Sequence, residues 1–266
     1  MSSKTTYIYS HYNFIENLIT NPKADKSVVF LLQKHRDDYI TNLEAALISS
    51  NYATITNVIE EYLTFAKRME LTNPKFLGSK STYYSSILED LPVYVSKDII
   101  KSIIENNTSP LLSNKEFRIG KTECIIKRGI SGDGSDWEEE KDIDFAVAVK
   151  SHTNKWICLS GFECKKYMDK TMFSSVQYTF TAFQALRPST SYNFMVEDEA
   201  RKKKDILNSI MIGKEFVLTN KSRLPEKNGI RPRNPIDKEA LEKFIVYCKD
   251  TVEKTVQKYL TSLTIK

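Results

Sequence analysis

Residues 141–165 of the chain read KDIDFAVAVKSHTNKWICLSGFECK. Two apolar runs, residues 143–149 and 156–162, are separated by the polar residues 150–155. The apolar residues are nearly continuous within each run instead of alternating with polar ones, which is typical of strands that are covered on both faces. The stretch therefore predicts a buried β-hairpin.

The chain on either side of this hairpin contains further strand-like and helix-like segments. Additional strands are predicted at residues 117–119, 124–127, 192–196 and 215–218. A helix is predicted to begin after Asp169, because aspartate is a good N-cap residue. Its apolar stripe consists of Met172, Val176, Phe180 and Phe183. Another helix is predicted at residues 198–212, and a final amphipathic helix begins near Asp237.

The first hundred residues have the pattern of helices. Helices are predicted at residues 27–50, around residues 55–66 and at residues 81–95, where Pro92 leaves the end of the helix open. We therefore predict a helical N-terminal subregion at residues 1–110 and a sheet-bearing core at residues 111–266, in one compact domain overall. The predicted fold class is α/β, with a mixed central sheet flanked by helices.

The composition is that of a soluble globular protein with a mildly basic balance. The 266 residues include 39 Lys and Arg against 34 Asp and Glu, for a net charge of +5, and 41% are hydrophobic. No apolar run approaches the ~20 residues that a membrane span needs, and the first residues do not resemble a secretory signal, so we expect a cytosolic protein without membrane contact. Only 8 residues are Gly, which disfavours a glycine-rich nucleotide loop.

Three charged residues stand at the ends of the apolar hairpin strands. Asp144 lies in the first strand, and Glu163 and Lys165 lie at the end of the second. Glu163 and Lys165 are two residues apart and share a strand face. Since 18 residues separate Asp144 from Glu163, the hairpin can bring the two carboxylates together. Burying such charges is costly unless they are paired or bind a metal.

Two converging carboxylates favour a magnesium site. Mg²⁺ is usually held by one or two carboxylates, with waters and phosphate oxygens as its other ligands. A bound Mg²⁺ lowers the pKa of water and neutralises charge that develops on a phosphate. Lys165 could hold the attacking water or stabilise that charge. The pattern therefore predicts phosphodiester hydrolysis, with either Asp142 or Asp144 as the first acidic ligand.

An aspartate, a hairpin and a Glu-x-Lys at the end of the next strand resemble the PD-(D/E)xK nuclease superfamily. Residues 163–172, together with residues 85–89 and 120–122, resemble type II restriction endonucleases, including a subgroup that cuts interrupted CTNAG-type sites. The resemblance covers roughly residues 79–218. It implies a restriction-endonuclease-like fold and Mg²⁺-dependent cleavage of double-stranded DNA.

The resemblance also assigns roles to residues. It implies that Asp144 and Glu163 are metal ligands, that Lys165 is the catalytic lysine, and that Glu89 is an additional acidic residue near the metal or its waters. The chain departs from the family pattern because the residue before the aspartate is Ile143 and not proline. We favour Asp144 over Asp142, since Asp144 lies deeper in the apolar strand.

Basic residues near the predicted site are candidates for DNA contacts. Residues 221–233 are rich in Lys and Arg and contain two prolines and a glycine, which predicts an irregular basic arm. The candidate DNA-binding residues are Lys166, Lys170, Arg223, Lys227, Arg231 and Arg233. Arginine is suited to bidentate contact with guanine. Because duplex DNA has two-fold symmetry, we expect a homodimer.

Other interpretations of the charged hairpin are possible. Asp144, Glu163 and Lys165 could form a structural ion-pair network at the end of the sheet. The chain could then be a non-catalytic DNA-binding or helical adaptor protein. A repair or junction-resolving nuclease on the same scaffold is the enzymatic alternative.

Overall fold

In the computed structural model, the described part of the chain comprises residues 4–73, 77, 82–107, 109–112, 114–200, 213–225 and 232–264. The strands are β1 (Lys4–Ile8), β2 (Glu116–Ile130), β3 (Asp136–Lys150), β4 (Trp156–Met168), β5 (Ser191–Glu199) and β6 (Glu215–Val217). The α-helices are α1 (Ser10–Thr20), α2 (Lys26–Ser49), α3 (Tyr52–Thr72), α4 (Thr82–Ile100), α5 (Lys170–Leu186) and α6 (Lys238–Thr264).

The six described strands form one mixed sheet in the order β1-β2-β3-β4-β5-β6. Neighbouring strands β2, β3 and β4 are antiparallel, whereas β1 is parallel to β2, and β4, β5 and β6 are parallel to one another. Helices flank the sheet, so the predicted α/β fold class is confirmed.

The hairpin of β3 and β4 is the buried centre of the sheet. Its register runs from Phe145 opposite Phe162 to Lys150 opposite Trp156, which confirms the predicted pairing. Phe145, Val147 and Val149 belong to an apolar cluster shared with α4 and α6. Ala146 and Ala148 belong to a second cluster shared with α5. Helices therefore cover both faces of the hairpin, as its continuous apolar sequence predicted.

The helices predicted at residues 27–50, 55–66 and 81–95, after Asp169 and near Asp237 are present, but α4 is longer than predicted. It continues to Ile100 with Pro92 inside it. Ser96 donates a hydrogen bond of 2.7 Å to the Pro92 carbonyl oxygen, which satisfies one of the backbone acceptors in this turn. The N-cap prediction for α5 is confirmed, because the Asp169 side chain accepts a hydrogen bond from Met172 N–H at 2.8 Å. No described helix is long and apolar enough to cross a membrane.

Several strand boundaries differ from the sequence prediction. β3 begins at Asp136 and β4 continues to Met168, so both are longer than the predicted residues 143–149 and 156–162. Residues 4–8 form β1 and not part of a helical region, because they pair with β2 along their whole length. The two short strands predicted at residues 117–119 and 124–127 are one strand, β2, whose register against β3 shifts between Gly120 and Thr122 and again between Ile125 and Lys127. Residues 198–199 extend β5. Residues 201–212 of the predicted helix lie outside the described residues.

Gly120 is required where β1 and β2 meet. Its φ is +115°, a conformation that residues with a side chain rarely adopt, and a Cβ at this position would overlap the carbonyl oxygen of Ile8. The backbones of Ile8 and Gly120 therefore lie closer together than a residue with a side chain at position 120 would allow.

We expect Gly120→Ala to lower the free energy of unfolding by about 3 kcal/mol, because it adds backbone strain and separates β1 from β2. Denaturant unfolding followed by circular dichroism measures this loss. Gly132→Ala is the matched control, since a Cβ at residue 132 meets no atom within 4 Å. Equal stability of the two variants would contradict the prediction.

Candidate active site

The candidate site lies where the backbone pairing of β3 and β4 ends. Phe145 and Phe162 form the last pair of the ladder at this end. Beyond this pair, the side chain of Asp144 accepts a hydrogen bond of 3.0 Å from the backbone N–H of Cys164. A carboxylate thus replaces a backbone carbonyl as the partner of β4, and this fixes Asp144 between the two strands.

Lys165 joins the two carboxylates of the hairpin. Its ammonium group forms a close ion pair with Asp144 Oδ2 and lies 3.3 Å from Glu163 Oε2. The side chains of Asp144 and Glu163 are only 9% and 4% exposed, whereas that of Lys165 is 32% exposed. The three residues that the sequence placed at the strand ends are therefore in direct contact, with the ammonium group nearest to solvent.

Burial and neighbouring charges give the carboxyl groups of Asp144 and Glu163 different pKa values. Burial, together with the neighbouring Asp144 carboxylate, raises the pKa of Glu163 to about 7. Burial also acts to raise the pKa of Asp144, but Lys165 and the hydrogen bonds to Asp144 outweigh it and lower that pKa. Burial acts to lower the pKa of Lys165, yet the two carboxylates outweigh it and raise that pKa well above its usual value. Lys165 is thus a cation at neutral pH.

Glu89 of α4 belongs to the same electrostatic environment. Burial raises its pKa, and the charge of Asp144 raises it further. Its nearest cation is Lys121 of β2, whose Nζ lies 3.8 Å from Glu89 Oε2. Because α4 packs directly against β4, the helix brings this third acidic group beside the hairpin residues.

Asp142, the alternative to Asp144, has a different environment. It is exposed and is paired with Glu123 of β2 in the sheet register. Asp144 is buried and is the aspartate that shares Lys165 with Glu163. The geometry therefore favours Asp144 as the partner of Glu163.

The donor set is chemically suited to one small divalent cation. Among the described residues, no group of three or more His, Cys, Asp or Glu side chains is arranged to hold a metal. Mg²⁺ does not need such a group, because one or two carboxylates suffice when waters and phosphate oxygens complete its shell. Asp144 and Glu163 supply two buried carboxylates, and burial together with the charge of Asp144 raises the pKa of Glu163. These residues fit a magnesium ion.

Three of the predicted DNA-binding residues lie close to this end of the sheet. The ammonium group of Lys166 is 4.3 Å from the centre of the Tyr84 ring and 3.6 Å from Glu70. The guanidinium of Arg223 stacks on Tyr167 at 3.6 Å. Lys170 is the exposed first residue of α5.

The remaining basic residues are placed differently. Arg233 is held in a network inside the protein, where its Nε donates 2.7 Å hydrogen bonds to Tyr84 and Glu197 and its other nitrogens bind Glu60. Because these protein groups already bind the guanidinium nitrogens, Arg233 is not available to a ligand in this arrangement. Lys227 and Arg231 lie outside the described residues.

Two lysines near the site were not predicted from the sequence. Lys141 Nζ lies 3.5 Å from Glu163 Oε1 and also contacts the hydroxyl groups of Ser175 and Thr179 on α5. Lys121 is the partner of Glu89. The sequence around Asp144 did not indicate that Lys141 or Lys121 would contact the site. Both contacts depend on the register of β2 and β3 and on the position of a helix.

A comparison with solved structures identifies the fold. A chain from a structure described as the native BbvCI A2B2 tetramer at low resolution matches with a TM-score of 0.64 and 16% sequence identity. The match covers 92% of this chain and 98% of that chain. No protein-family model matches the sequence, and no curated protein is significantly similar to it. The chain thus has a restriction-endonuclease-like fold, whereas the subgroup that cuts CTNAG-type sites stays a prediction.

The raised pKa of Glu163 predicts a pH-dependent effect of Glu163→Gln. A folded-state pKa above the unfolded value stabilises the protein at low pH, and this stabilisation is lost as pH rises from about 4.5 to about 7. Glutamine is neutral at every pH. In buffer with a chelator, we therefore expect the variant to gain about 3 °C in Tm over the wild type between pH 5 and pH 8.

Thermal melts at the two pH values measure this difference. Glu123→Gln is the control, because Glu123 is exposed on β2 and its substitution should leave the difference in Tm constant. If the Tm of Glu163→Gln relative to wild type stays constant or falls from pH 5 to pH 8, the prediction is wrong and the Glu163 carboxyl is not buried against Asp144.

Proposed function

We propose that this chain is a Mg²⁺-dependent, sequence-specific endonuclease that cleaves double-stranded DNA, as type II restriction enzymes do. The observation that carries the proposal is the contact of Lys165 with two buried carboxylates, Asp144 and Glu163, at the open end of the hairpin. The fold supports it, because BbvCI is a type II restriction enzyme. Since one fold can host many functions, the residues at the site carry more weight than the fold.

In this proposal, Asp144 and Glu163 hold the magnesium ion. When bound, Mg²⁺ supplies a more acidic water as nucleophile and neutralises charge on the scissile phosphate. The protein orients the ligands: the Cys164 N–H fixes Asp144, and the apolar strand between the helices fixes Glu163. Dry surroundings keep both carboxylates in one geometry, so little reorganisation is needed at the moment of reaction.

Lys165 acts as a cation and not as a base. In the described structure, the Asp144 and Glu163 carboxylates raise the pKa of Lys165 and so keep its ammonium group protonated. It can donate hydrogen bonds to the attacking water or to a phosphate oxygen as negative charge develops. Because Lys165 is the most exposed member of the triad, its ammonium can turn from the carboxylates towards the phosphate. Glu89 would accept hydrogen bonds from waters beside the two ligands.

DNA would approach from the side where Lys166, Lys170 and Arg223 lie. Basic side chains in these positions can bind backbone phosphates beside the scissile bond. Arg233 would have to leave Glu60 and Glu197 to reach DNA, so we assign it a supporting role unless DNA binding rearranges that network. Lys227 and Arg231 complete the proposed basic arm.

We further propose that two copies of the chain assemble into a homodimer on DNA. The structure to which the chain is similar is described as an A2B2 tetramer, so chains of this fold do assemble with one another. Two copies related by a two-fold axis would present one site to each DNA strand.

One observation also favours a second candidate function. The ion pairs of Lys165 already balance part of the buried charge within the protein. A structural network of this kind would serve a non-catalytic DNA-binding protein equally well. Cleavage experiments separate the two functions. Cleavage of branched or damaged DNA without cuts at a fixed short site in plain duplex DNA would favour a repair or junction-resolving nuclease.

We expect the protein to cut phage DNA into discrete fragments in the presence of MgCl₂ and not of EDTA. Lys165→Ala should reduce the cleavage rate by about 1,000-fold, because the cation that stabilises the phosphate is lost, while duplex affinity in EDTA stays near the wild-type value. Sequencing of fragment ends gives the recognition site and tests the predicted CTNAG-type subgroup. A folded wild-type protein that binds DNA but never cuts it would support the non-catalytic alternative.

The pair Asp144→Asn and Asp142→Asn tests which aspartate is the ligand. We expect Asp144→Asn to abolish Mg²⁺-dependent cleavage, because it removes one of the two buried carboxylates. Asp142→Asn changes the same residue type two positions away at an exposed site and should retain activity within about three-fold. Cleavage assays on one plasmid substrate compare them. The reverse result would move the ligand to Asp142.

A further inference from the structure

A basic groove lies at the end of the β3–β4 hairpin that is remote from the candidate active site. Its walls are the turn between β3 and β4, the turn between α5 and β5, and the last turns of α6. The groove has a volume of about 600 Å³. This volume is within the range of pockets that bind small molecules. Ile157 in its wall precedes Lys165 by eight residues on β4, a separation of about 26 Å along an extended strand.

The lining of this groove is positively charged. It includes five cationic residues and no acidic residue. The five are Lys115, Arg128, Lys150, Arg187 and Lys258. Two of them have carboxylate partners outside the lining, since Lys150 binds Glu116 at 3.1 Å and Arg128 binds Glu138 at 2.8 Å. Within the described part of the chain, Lys115, Arg187 and Lys258 form no ion pair.

Arg187 is the most unusual of these residues. It is only partly exposed, and its guanidinium lies near Arg128, a group of the same charge. Burial, and then the charge of Arg128, lower the pKa of Arg187. Its side chain makes no hydrogen bond to any described residue, not even to the last carbonyl groups of α5. Two guanidinium groups that line one recess repel each other, and an anion bound between them would relieve this repulsion.

The other lining residues indicate what kind of anion fits. Arginine side chains bind phosphate oxygens through paired hydrogen bonds, and serine hydroxyls, such as those of Ser189 and Ser262, can add further ones. Val149, Leu159 and Leu263 provide apolar surface, and the Tyr259 ring stands beside Arg187. We propose that this groove binds a phosphorylated small molecule of the nucleoside diphosphate type, with its phosphates at Arg128 and Arg187 and its base against the apolar wall.

The groove suits a small ligand better than a DNA duplex. The half-buried Arg187 lies in a recess between two turns and a helix, where the phosphates of a rigid duplex have poor access. The site is also remote from Asp144, Glu163 and Lys165, so the proposal does not depend on the proposed nuclease activity.

Isothermal titration calorimetry with ADP, in buffer without divalent cations, tests the proposal. We expect the wild type to bind ADP, and Arg187→Gln and Lys258→Glu to bind it at least about ten-fold more weakly, since each alters the charge of the groove. Lys34→Gln is the matched control, because Lys34 is exposed on α2 outside the groove and its loss should leave the affinity unchanged. Thermal melts establish that each variant is folded, and Lys258 provides a second, exposed position if Arg187→Gln fails to fold.

Three outcomes would overturn the proposal. The first is a wild-type Kd for ADP weaker than about 1 mM. The second is ADP affinity that is unchanged in the folded groove variants or is lost equally in Lys34→Gln. The third is binding of a 20-base-pair duplex that Arg187→Gln and Lys258→Glu both weaken while ADP does not bind, which would make the groove a DNA-backbone site. Because none of these measurements uses cleavage, failure here leaves the proposed nuclease function untouched.

Discussion

The ammonium group of Lys165 between Asp144 and Glu163 is the contact on which the candidate site depends. The ladder of β3 and β4 ends at Phe145 and Phe162, and the carboxylates begin where the backbone no longer pairs. Removing one partner of a buried ion pair typically costs about 3–5 kcal/mol, because the remaining charge stays without compensation. Lys165 supplies a compensating cation for these carboxylates from within the chain. A divalent ion would compete with Lys165 for the same oxygens, which frees the ammonium for a phosphate.

The position of these charges is fixed by apolar packing on both faces of the hairpin. α4 and α6 cover one face and α5 covers the other, so β4 has no freedom to tilt. Arg233 connects three of these elements by hydrogen bonds, because it binds Glu60 of α3, Tyr84 of α4 and Glu197 of β5 at once. Its partners come from segments far apart in the sequence, and each of them is partly or fully buried. A residue with all three guanidinium nitrogens engaged in this way stabilises the helices next to the site more directly than it could bind DNA.

The sequence predicted the hairpin and α5 because their signals are local: two continuous apolar runs around a polar turn, and an N-cap aspartate before an apolar stripe. β1 was missed because its five residues, KTTYI, are partly exposed and have no alternating pattern, so only pairing with β2 defines the strand. The bulge at Gly120 and the burial of Arg233 depend on distant partners, which a single sequence does not display. Asp142 and Asp144 are equivalent by strand period. The apolar run favoured Asp144, and the end of the ladder shows how different the environments of the two aspartates are.

The two ends of the β3–β4 hairpin carry charged groups of different sign. Buried carboxylates stand at one end and unpaired cations at the other, with the apolar residues Phe145, Val147 and Phe162 between them. The separation of about 26 Å along β4 exceeds the Debye length of about 8 Å at physiological ionic strength. Exposed cations of the groove, such as Lys258, are therefore largely screened from the acidic end. Asp144 and Glu163 already have Lys165 as an internal cation. In the two proposals, a metal ion at Glu163 and an anion at Arg187 should therefore bind with little direct electrostatic coupling. Any influence of one ligand on the other would have to pass through the packing of the strand itself.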